Sequence, residues 1–170
     1  MIYYNSHTNY WSAAEHDLLV VPVDCSGSPQ RGPLTVLDMR LEGLTDQYVR
    51  LAKGNHLTTG IVKFDWRGAN KNVKFVVFLP LAPNANTFHS FKAWVDCMED
   101  LSAKMNVLAT VNSLGMPHIP ELGDWEKQED VILDLFGGIG ENHVDLTLYG
   151  GRGTVGEDEL TSEEIEVVFV

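Results

Sequence analysis

Cations are scarce in this sequence: 12 Lys+Arg stand against 24 Asp+Glu, a formal net charge of −12. So acidic a chain repels polyanions unless its few cations gather in one groove, so general binding to nucleic acid or to anionic membranes is not expected. Cysteine is nearly absent, with only Cys25 and Cys97. They form no CxxC and have no Cys or His partner at ligand spacing, which argues against structural zinc and for a reducing compartment. Long apolar runs are missing too, since no uncharged stretch approaches the roughly 20 residues that span a bilayer. The opening segment from Met1 to Trp11 has no basic stretch followed by an apolar core. A cytosolic protein is therefore expected, in the host cytoplasm if the gene is viral.

What is present is the mix of an ordinary globular protein, 44% hydrophobic and 21% charged over 170 residues. That length suits one domain. Asp17-Leu-Leu-Val-Val-Pro-Val23 reads as a short continuous apolar run, the mark of a strand buried on both faces. It runs into the small, turn-forming stretch Asp24-Cys-Ser-Gly-Ser-Pro-Gln-Arg-Gly32, after which Pro33 suits the first turn of a helix. Leu34, Leu37, Leu41 and Leu44 continue that helix at three- and four-residue spacing, and a second helical segment follows from Tyr48 to Lys53. Gly60-Ile-Val-Lys-Phe64 and Val73-Lys-Phe-Val-Val-Phe-Leu79 read as a hairpin.

With Thr87 as N-cap, Phe88, Phe91, Val95, Met98 and Met105 predict the longest helix, with Trp94 beside its apolar stripe. A strand over 109–116 follows. Asp124 then caps a helix that carries Ile132, Leu135, Phe136 and Ile139, and Val144-Asp-Leu-Thr-Leu-Tyr149 alternates as a last strand. Strands alternating with helices predict a three-layer α/β/α fold whose mixed, mostly parallel sheet binds ligands at the carboxyl ends of its strands. Residues 1–153 are expected to form this domain. Residues 154–170 form an acidic segment ending in the apolar Val167-Val-Phe-Val170, which reads as an edge strand or a site for a protein partner.

Four stretches resemble the macro domains, in particular their ADP-ribosyl glycohydrolase branch. Val23-Asp-Cys-Ser-Gly-Ser-Pro-Gln-Arg-Gly-Pro-Leu34 lies without a gap on the family's first glycine-rich loop. Leu57-Thr-Thr-Gly-Ile-Val62, Phe78-Leu-Pro80, and Leu114-Gly-Met-Pro117 with Gly123-Asp-Trp125 follow in the family's order. The resemblance implies an ADP-ribose-like ligand held by backbone N–H groups at a glycine-rich turn, which needs no basic protein. Asp24, Cys25, Ser26, Gly27, Gln30, Arg31 and Gly32 would line one side of the ligand, and Pro117, Ile119 and Gly123 the other.

The sequence departs from the family where the chemistry lies. Asp24 replaces an Asn set against the distal ribose, so it accepts from hydroxyls but donates no amide N–H. Gln30 replaces a glycine, and Arg31 either pairs with phosphate or is solvated. Ala82 falls where the glycohydrolases carry a lysine, and the second phosphate loop is shorter, with Pro120 lacking an N–H and Glu121 bringing a carboxylate. His118 and Asp124 remain as catalytic candidates, a general base and an aspartate, each with a structural alternative as loop histidine and helix cap. Trp125 either supports an adenosine pocket or anchors its helix. Phe88 and Phe91 either replace a lost adenine contact or belong to the helix core. The resemblance thus implies a binder of ADP-ribose or a related nucleotide with weak or no hydrolase activity, and no cofactor or metal is expected. The alternatives are a ligand-free interaction module and a retained ADP-ribosyl glycohydrolase.

Overall fold

The computed structural model describes residues 2–5, 16–28, 41–66, 73–105, 110–141 and 144–150. Six strands form one sheet in the order β1-β6-β5-β2-β4-β3: β1 Ile2–Asn5, β2 Leu18–Val23, β3 Lys63–Trp66, β4 Phe75–Pro80, β5 Ser113–Pro117 and β6 Asp145–Tyr149. Every pairing is parallel except β3 with β4. The described helices are α1 Leu44–Lys53, α2 Phe91–Met105 and α3 Trp125–Glu141, with a 3-10 turn over Pro120–Leu122.

Period-two alternation along the central strands sorts side chains between the two faces. Leu18 and Val20 of β2 and Val77 and Leu79 of β4 enter a core with Trp94, Cys97 and Leu101 of α2 and Ile132 and Phe136 of α3. Leu19, Val21 and Val23, with Val76 and Phe78, face Leu44 and Tyr48 of α1. Helices on both faces of a mostly parallel sheet make the three-layer α/β/α fold that the alternation of elements implies. They also bury β2 completely, which is why it reads as an unbroken apolar run.

Several elements begin elsewhere than the sequence suggests. Thr87 caps no helix: its hydroxyl donates to Asn84 Oδ1 in a turn, and α2 starts at Phe91, where Ser90 Oγ accepts the Ala93 N–H. Phe88 therefore lies ahead of the helix and is 80% exposed, whereas Trp94 is fully buried in the core rather than beside it. At 15 residues α2 is shorter than α3 at 17, so it is not the longest described helix. Leu44 opens α1 instead of closing the preceding segment, and Gly60 and Ile61 lie outside β3, Ile61 making an isolated bridge to Thr58. The edge strand β1, four residues long, carries too little pattern to be read in advance. Residues 29–40, residues 67–72 where a hairpin turn is expected, and residues 154–170 lie outside the described residues. No described helix is long and apolar enough to cross a membrane.

Leu101 is fully buried between the sheet and α3. Leu101→Ala is expected to lower unfolding free energy by roughly 2–5 kcal/mol. Ile61→Ala, at a half-exposed position, is expected to stay within about 0.5 kcal/mol in the same urea titration.

Candidate functional site

The strand order makes β2 a switch point. The chain leaves β2 toward β4 on one side and returns to β5 on the other, so the loops after β2, β4 and β5 converge at one end of the sheet. These loops are 24–28, 81–90 and 118–124.

Asp24 sits at the end of β2 and is 1% exposed. Its Oδ1 accepts the Ser26 N–H at 2.8 Å and the Ser26 hydroxyl. The Tyr48 hydroxyl donates to Asp24, lying 2.8 Å from its carbonyl oxygen and 3.0 Å from Oδ1, and accepts the Gly27 N–H at 3.1 Å. Asp24 Oδ2 is equally buried and accepts from no described group. Leaving a buried carboxylate oxygen without a donor carries an appreciable desolvation cost. Burial, then the charge of Asp24, then the hydrogen bond to it raise the Tyr48 pKa, which keeps its phenol protonated.

Gly27 adopts φ +81, and a Cβ there would lie 2.9 Å from the Ala52 Cβ. Only glycine fits, because this turn packs closely against α1. Cys25 is half-buried, with its N–H on the Ala82 carbonyl at 2.9 Å and its Sγ 3.6 Å from Thr59 Oγ1. Ala82 is buried and brings no titratable side chain to this end of the sheet.

Across the crevice, Gln128 holds the 118–124 loop from within: its Oε1 accepts the Ile119 N–H and its Nε2 donates to the carbonyls of Ile119 and Gly123. Pro117 ends β5 and is buried, the Ile119 side chain joins the core, and Gly123 is exposed at φ +86. Glu121 does not stand alone beside the crevice. Its Oε2 accepts the His89 N–H at 3.3 Å and lies 3.5 Å from the His89 ring, tying this loop to the one after β4.

Asp124 Oδ1 accepts the Glu126 N–H at 2.9 Å and so caps α3. His118 packs edge-on against Trp125, their centroids 5.1 Å apart, with its Nε2 and the Trp125 indole N–H buried and unpartnered among the described residues. Burial holds the His118 pKa below the usual imidazole value, partly offset by the Gly123 carbonyl. The structure thus brings together Asp24, Cys25, Ser26 and Gly27 on one loop and Pro117, His118, Ile119 and Gly123 on its neighbour. Gln30, Arg31 and Gly32 lie outside the described residues. No group of His, Cys, Asp or Glu among the described residues is arranged to hold a metal.

Two supporting residues escaped the sequence reading, Tyr48 and Gln128. Each is a polar group at a buried helical position, where a hydroxyl or amide has to find a partner, and that burial shows only once the fold is formed.

No protein-family model matches the chain and no curated protein matches it, but solved structures do. The macrodomain of Mycobacterium tuberculosis DarG superposes with TM-score 0.77 at 22% identity, over 88% of this chain and 97% of that one. That of Thermus aquaticus DarG gives 0.76 at 16%, again over 88% and 97%. Thermosipho africanus DarTG, solved in complex with ADP-ribose, gives 0.71 at 11% identity, over 91% of this chain and 42% of that one. The chain has the macrodomain fold, at a sequence distance that makes it divergent.

Tyr48→Phe leaves both Asp24 and the Gly27 N–H short of a partner. It is expected to cost roughly 1–3 kcal/mol in urea denaturation; a cost below about 0.5 kcal/mol would show that the hydroxyl does not organise the loop. For His118 the lowered pKa fixes the sign. The fold favours the neutral ring, so this contribution is complete above the unfolded value of about 6.5 and is lost as pH falls below it. Comparing thermal melts from pH 8 to 5, His118→Gln should lose less stability on acidification than the parent.

Proposed function

We propose that the chain binds ADP-ribose or a closely related nucleotide between loops 24–32 and 117–124, with weak or no hydrolysis. The observation that carries this reading is Asp24 Oδ2, a buried acceptor that has no donor among the described residues, at the carboxyl end of the central strand. A ribose hydroxyl supplies the missing O–H. Beside it, the small-residue stretch from Cys25 to Gly32 suits a pyrophosphate by its sequence, since backbone N–H groups at such a stretch can hold phosphate in spite of the chain's net charge. The DarTG structure with ADP-ribose supports the choice of ligand, because its fold matches this one.

In this reading Asp24, Cys25, Ser26, Gly27, Gln30, Arg31 and Gly32 form one wall, and Pro117, Ile119 and Gly123 the other. Hydrolysis is slow because Ala82 offers no acid or base. Asp124 already serves as a helix cap, and His118 contacts Trp125 rather than a carboxylate orienter. Loss of one preorganised catalytic group typically costs about 10² to 10⁴ in rate.

Calorimetric titration with ADP-ribose tests the reading. Measurable binding is expected, weakened roughly 10- to 100-fold by Arg31→Ala through loss of a charge-assisted contact. Absence of heat at millimolar ADP-ribose would reject it. Robust release of ADP-ribose from a modified substrate, abolished by Asp124→Ala, would overturn the slow-hydrolysis part alone.

A further inference from the structure

We infer that the groove on the β4 side of the crevice is a second subsite, one that takes a planar heteroaromatic ring attached to the ribose end of the nucleotide. The inference rests on the nucleotide reading above and names what the bound molecule carries. The groove encloses about 290 Å³ between the Thr59–Gly60 turn, the loop after β4 and the start of α2. It adjoins the Asp24 position through the backbone: Leu81 donates its N–H to the Val23 carbonyl and Cys25 its N–H to the Ala82 carbonyl, both at 2.9 Å. Cys25 Sγ also meets Thr59, which lines the groove. A group joined to a ribose held at Asp24 therefore has this groove as its neighbour.

The lining defines the chemistry of that group. Leu81, Pro83 and Ala93 give it apolar walls, and Phe88 stands at the groove with 80% of its surface exposed. Among the described residues the only other large exposed hydrophobic is Ile61. An aromatic face left in water beside a concave surface suits stacking with a flat ring, which any heteroaromatic base provides. Ser90 Oγ accepts the Ala93 N–H and keeps its own proton to donate, so the ring's polar edge also finds a partner. The one cation of the lining, Lys92, is neutralised by Asp96 at 3.0 Å. The groove thus offers an anion no net positive charge and favours a ring over a further phosphate.

The test is paired titration of the full chain with ADP-ribose and with NAD, which carries a pyridine ring at the ribose end. Phe88→Ala, a change at an exposed side chain, is expected to weaken NAD roughly fivefold or more, as loss of one stack does, and to leave ADP-ribose within about twofold. Phe88→Tyr should restore NAD binding. Equal effects on the two ligands, or none on either, would overturn the subsite while leaving the nucleotide reading standing. Failure of the parent to bind ADP-ribose would remove the reading and the subsite together. A concentration-dependent dimer in sedimentation that disappears with Phe88→Ala would assign Phe88 to self-contact and likewise overturn the subsite.

Discussion

A carboxylate at the end of a wholly buried strand is the constraint around which this molecule is arranged. β2 is apolar on both faces, and where it ends Asp24 is buried with it. A buried charge is tolerated only when hydrogen bonds surround it. Ser26 and Tyr48 supply those bonds to one oxygen, and in doing so they fold the loop back and fix Gly27 against α1. The second oxygen keeps its acceptor capacity. Loop shape and glycine requirement thus follow from one side chain.

The neighbouring loops are held by the same principle of satisfying buried polar groups. Gln128 reaches from α3 to engage both backbone groups of Ile119, and Glu121 joins the β5 loop to the β4 loop through His89. The loops at the carboxyl end of the sheet are therefore braced from behind. The same bracing occupies Asp124 as a cap and sets His118 against an indole, so the groups best placed by sequence for catalysis have structural duties.

Much of this was legible in the residues, and what was not has physical causes. β2 announced itself because burial on both faces demands an unbroken apolar run, and Asp124 did so because a short polar side chain ahead of an amphipathic stretch satisfies orphan N–H groups. Thr87 misled because Asn84 offers its hydroxyl a turn partner, leaving the capping to Ser90 three residues on. Phe88 misled with it, since spacing alone cannot separate the first turn of a helix from the loop before it. β1 stayed hidden because its four residues owe their strand geometry to pairing with β6, a contact 144 positions away in register. The order of motifs around Asp24, Gly27 and Pro117 pointed to the macrodomain fold, but the bracing roles of Tyr48, Gln128 and Glu121 depend on tertiary contacts that local pattern does not carry.

The central claim is that the loop organised by Asp24 and the loop braced by Gln128 hold a nucleotide between them. Backbone amide NMR during titration with ADP-ribose reads both loops at once. The largest shift changes are expected at Cys25 to Ser28 and at His118 to Gly123, saturating together along one binding curve. Changes confined to another part of the sheet, or none at millimolar ADP-ribose, would contradict it.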